Sequence, residues 1–72
     1  MNNNAGLNTI GIIDIDRQLK TLLDSIIGGR LNGGDRFSGR LIAFNDVYLQ
    51  LENRSGKPVI VKRSEISAFW GI

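Results

Sequence analysis

"RFSGRLIAF", residues 36–44, decides how this chain is read. The run from Arg36 through Ser38 and Arg40 to Leu41, Ile42 and Phe44 reads as a strand, yet Gly39 stands at its centre. A glycine inside a strand has no side chain to pack and costs conformational entropy, so it marks a bend or a bulge. A bend there would carry one strand from one side of a small barrel to the other.

The sequence after this run keeps the same character. "ND", residues 45–46, reads as a turn in which Asn45 can take the left-handed conformation. "VYLQLEN" alternates, with Val47, Leu49 and Leu51 on one face and Tyr48, Gln50 and Glu52 on the other. "RSGK" is a second turn, and "PVIVKR" is a fourth strand with Pro58 at its first position, where a missing amide donor is tolerated. The short link "SE" leads into a fifth strand, "ISAFW".

Upstream, "NGGD", residues 32–35, is a tight turn, and "IIGGRLN" is a first strand weakened by Gly28 and Gly29. "DIDRQLKTLLDS", residues 14–25, reads as a helix. Asp14 or Asp16 caps it, and Ile15, Leu19, Leu22, Leu23 and Ile26 form its apolar stripe. Asp16 and Lys20 stand in the favourable order for an ion pair four residues apart. Residues 1–13 read as an N-terminal arm, whose "TIGII" (9–13) is either a short strand or a tether lying on the domain, and 14–72 as a single domain.

Such short links leave no room for parallel crossovers, so the sheet is expected to be an antiparallel meander. Five strands bury a core by curling over, with the helix across the open end. The expected fold class is mainly β: an N-terminal helix followed by a strongly bent five-stranded antiparallel sheet that forms a small open barrel.

Composition narrows the function. A chain of 72 residues has a small core, which alone rarely supplies more than about 3–5 kcal/mol. It has no cysteine for a disulfide, and with no histidine either it lacks the usual ligands of a structural zinc site. Oligomerisation is the remaining common staple. The same absences remove the histidine base and the thiol nucleophile, so no enzyme, cofactor or metal is expected. No apolar run approaches the roughly 20 residues of a membrane helix, and "MNNNAGLN" lacks the regions of a signal peptide, so a cytoplasmic protein is expected. Net charge is +2, but from Gly28 onward seven bases face four acids.

The helix, "LNGGDRFSGRLIAFND" and "KPVIVKRSEISAFW" together resemble the Sm-like fold of the Sm, Lsm and bacterial Hfq proteins. Gly34, Gly39, Leu41, Phe44 and Asn45 stand at the places of the first Sm motif, and Lys62, Arg63 and Ile66 at those of the second. Asn45 replaces the usual Asp of the first motif and Arg63 the usual Gly of the second. Tyr48 or Leu49 stands where Sm and Lsm proteins carry a uracil-reading asparagine, and the "KR" pair looks closer to Hfq. The resemblance implies binding of single-stranded RNA, U-rich or A-rich, by a homo-oligomeric ring, a hexamer or heptamer closed through strands four and five. An RNA chaperone or an RNA-processing scaffold fits that implication. The RNA-binding candidates carried over by position are Asn45, Tyr48, Lys62 and Arg63. Tyr48 offers a ring for base stacking, Asn45 a donor and an acceptor, and Lys62 and Arg63 charges for phosphates. The alternative is a protein-interaction or assembly module that keeps the fold and binds no RNA.

Overall fold

The computed structural model describes residues 14–72. The arm expected over 1–13, with its "TIGII", lies outside the described residues. Helix α1 spans Ile15–Thr21 and is followed by β1 (Ile26–Leu31), β2 (Arg36–Phe44), β3 (Tyr48–Glu52), β4 (Pro58–Lys62), a 3-10 turn (Arg63–Glu65) and β5 (Ile66–Gly71).

Asp14 caps α1: its Oδ1 accepts from the Arg17 amide at 3.1 Å. The helix ends four residues short of Ser25, where the apolar stripe had placed its end. The sheet takes over first: the Asp24 amide donates to the Leu41 carbonyl at 2.7 Å, and the Leu41 amide donates to the Ser25 carbonyl at 2.9 Å. Asp24 turns the chain there with a left-handed φ of 67°. The buried stripe is correspondingly narrow. Leu19 is buried and Leu22 partly so, whereas Ile15, Leu23 and Ile26 are exposed.

The strands form one antiparallel sheet in the order β4-β3-β2-β1-β5. The first four strands make the expected meander, but β5 does not continue it. It returns to pair with β1, Gly28 opposite Trp70 and Gly29 opposite Phe69. The 3-10 turn directs this return, held by Asn32, whose amide donates to the Glu65 carbonyl and whose Nδ2 donates to the Ser64 carbonyl. The sheet therefore curls without closing, and β4 and β5 are its two edges.

The strand "RFSGRLIAF" does change partners beside its glycine, at Arg40. It pairs with β1 from Arg36 to Arg40 and with β3 from Arg40 to Phe44, with a bulge between Leu41 and Ala43. Gly39 has a φ of 153°, and a Cβ there would stand 2.9 Å from the Glu52 carbonyl oxygen. Only glycine lets the β3 backbone approach so closely. Beneath the curl lie Leu19, Ile27, Leu41, Leu49, Leu51 and Val61, one helix residue and five strand residues. Among the described residues no polar or charged side chain is buried with them. Full burial of each such side chain contributes about 1.5–3 kcal/mol against the entropy of ordering the chain.

Candidate nucleic-acid interface

The β2–β3 turn is built around Asn45. Its Oδ1 accepts from the amides of Val47 and Tyr48, both at 2.8 Å, and its own amide donates to the Tyr48 carbonyl at 3.0 Å. A short side-chain acceptor that closes a turn in this way satisfies amides that the sheet leaves free. The turn fixes the start of β3, where Tyr48 points away from the core beside buried Leu49 and is 46% exposed.

The second segment comes from the end of β4. Lys62 lies opposite Tyr48 in the β3–β4 ladder. It is exposed and, among the described residues, pairs with no carboxylate. Arg63 points the other way. Its amide donates to the Val47 carbonyl at 2.8 Å, and its Nη1 donates both to the Asn45 carbonyl at 2.7 Å and to Asp16 Oδ1 at 2.8 Å. Only 19% of its side chain is exposed, against 61% for Asp16. Arg63 thus fastens the β2–β3 turn to the first turn of α1.

All four residues singled out in the sequence therefore meet at one end of the sheet, in two kinds. Tyr48 and Lys62 present a ring and a charge to solvent. Asn45 Oδ1 and Arg63 Nη1 are spent within the protein. Beside Tyr48 a groove of about 260 Å³ runs between Ala43, Phe44, Asn45, Gln50 and Ile60. Gln50 and Ile60 had not been singled out. The alternation in "VYLQLEN" already put Gln50 on Tyr48's face, while Ile60 reaches it only through its pairing with Gln50. Asp16 was missed as well: helical spacing paired it with Lys20, but the structure pairs it with Arg63, 47 positions away.

This helix, curled open sheet and edge arrangement define an Sm-like fold. A crystal structure of the pleiotropic translational regulator Hfq shares it, with a TM-score of 0.70 over 76% of this chain and 93% of that one, at 16% sequence identity. No protein-family model matches the chain, and no curated protein sequence does. Among the described residues no helix is long and apolar enough to cross a membrane.

Proposed function

We propose that this chain binds single-stranded RNA as a homo-oligomeric, cytoplasmic ring, and acts by binding rather than by catalysis, as an RNA chaperone or processing scaffold. The observation that carries the reading is the pairing of exposed Tyr48 with exposed Lys62 across β3 and β4, at a turn locked by Asn45 and Arg63. A base stacks on the Tyr48 ring with the Gln50 amide within reach of its edge, and Lys62 meets the phosphate. Ring closure uses the two sheet edges: β4 carries Ile60 at 57% exposure and β5 carries Trp70 at 43%. Unpaired edges of this kind invite strand pairing, and a head-to-tail β4–β5 contact closes a ring when the rotation permits. Repetition of a weak site around that ring raises its avidity.

Fluorescence anisotropy with short U-rich and A-rich RNA tests the site. Tyr48→Ala is expected to cost about 1–3 kcal/mol with the salt dependence unchanged. Lys62→Ala is expected to reduce the log–log salt slope by about 0.7. A wild-type protein without RNA affinity at low salt would end this reading, and a monomer in native mass spectrometry at micromolar concentration would end the ring.

One observation favours a second reading, a protein-interaction module without RNA binding. Asn45 Oδ1 and Arg63 Nη1, two of the four candidate contacts, are already satisfied inside the protein.

A further inference from the structure

Arg63 holds two oxygens with one nitrogen, and the two are unlike. The Asn45 carbonyl belongs to the turn and cannot leave without undoing it. The Asp16 carboxylate is a charged group, 61% exposed, at the outer end of a flexible side chain. A carboxylate and a phosphate present a guanidinium with the same kind of partner, an anionic oxygen in hydrogen-bond geometry. The pair is open to solvent on its Asp16 side, and screening there keeps it weak and exchangeable. A displaced Asp16 also has somewhere to go, because Lys20 stands one helical turn further along α1. Lys62, next to Arg63, has no such carboxylate among the described residues.

We propose that Asp16 is an internal stand-in for phosphate: it occupies the Arg63 guanidinium until an RNA phosphate displaces it. This rests on the RNA-binding reading above. Tyr48 and Lys62 then make the first contacts, and Arg63 joins only when a phosphate reaches the position that Asp16 holds. Asp16 is thus a residue that sets how strongly the site discriminates an anionic backbone, acting through Arg63 and touching no RNA itself. The Asn45 carbonyl bond keeps the guanidinium in place throughout, so the exchange needs no movement of the turn.

The test is a double-mutant cycle on RNA affinity, read at several salt concentrations. Asp16→Asn keeps an oxygen for Arg63 and removes the charge. It is expected to tighten binding by up to about fivefold, the worth of an ion pair screened by solvent on one side. The log–log salt slope is expected to stay as in the wild type, since Arg63 meets the same phosphate in both proteins, and to fall by about 0.7 in Arg63→Gln, which loses that contact. The gain in affinity is expected to vanish in an Arg63→Gln background. A merely structural Asp16 would weaken binding when changed to Asn, which overturns the proposal, as does an Arg63→Gln protein that binds RNA with the wild-type salt slope. So does a gain that survives in Arg63→Gln, since that is a general charge effect. Absence of RNA binding in the wild type and every variant overturns the RNA reading itself and is seen separately. Should Arg63→Gln fail to melt cooperatively, the Asp16 carboxylate carbon resonance of the wild type replaces that arm. It is expected to move when RNA is added, and a resonance unmoved at saturating RNA overturns the proposal.

Discussion

Phe37, near the start of β2, lies where β1 has no side chain, while Asn45, just past its other end, lies where every nearby amide needs a partner. The first end is fitted by leaving atoms out. A Cβ on Gly29 would collide with the Phe37 ring and stand 2.8 Å from the Ala68 carbonyl oxygen. The second end is fitted by supplying atoms: one Asn45 oxygen serves two amides, and one Arg63 nitrogen serves two oxygens. The lesson is that the two ends fail in opposite ways. Close packing breaks when an atom is added, and a hydrogen-bonded turn breaks when one is taken away.

The strongest way to break the comparison is at the glycine between the two ends. Gly39→Val adds a side chain at a φ of 153° against the Glu52 carbonyl oxygen. Backbone strain and overpacking together are expected to cost about 4 kcal/mol, most of what a domain of this size holds. Loss of the cooperative melt is the expected result, and an unchanged melting temperature would refute the close approach of β3. Gly29→Ala comes next, at about 2 kcal/mol, since it adds a single carbon and, unlike Gly39, does not require a positive φ. Phe37→Leu in the same chain should recover part of that loss. If calorimetry finds the two changes additive, the ring is not what fills the space above Gly29. The smallest effect belongs to the turn. Asn45→Ala is expected to cost about 1 kcal/mol, because two amides lose their acceptor at an exposed site. Asn45→Asp keeps the acceptor and should stay within about 0.5 kcal/mol of the wild type in urea unfolding. Equal losses in the two variants would mean that Oδ1 does not hold the turn.

These residues also show how much could be read without coordinates. Gly39 was legible because a glycine amid strand formers is conspicuous in one dimension. Gly29 was legible only as a weakness of its strand. Its use depends on standing opposite Phe37, a register that no local pattern encodes. The return of β5 to β1 was illegible for the same reason, since short links specify direction of travel but not which edge is reached. The overlong helix has a different cause. Leu22 and Leu23 continue the helical spacing, and only the bonds of Asp24 and Ser25 to Leu41 outcompete it. At the site, Asn45, Tyr48, Lys62 and Arg63 were found together as their positions in the resemblance implied. That Arg63 faces inward could not be foreseen, because the carboxylate that draws it there sits on the helix, at the other end of the chain.

The chain contains a single tyrosine and a single tryptophan. Tyr48 stands on β3 at the candidate interface, and Trp70 stands on the edge strand β5 over Gly28, where a Cβ would lie 3.2 Å from the indole nitrogen. The molecule thus carries two natural chromophores at two separate addresses. Indole emission reports on one sheet edge and the phenol band on the other end of the sheet, so events at the two places are spectroscopically separable in the unlabelled protein.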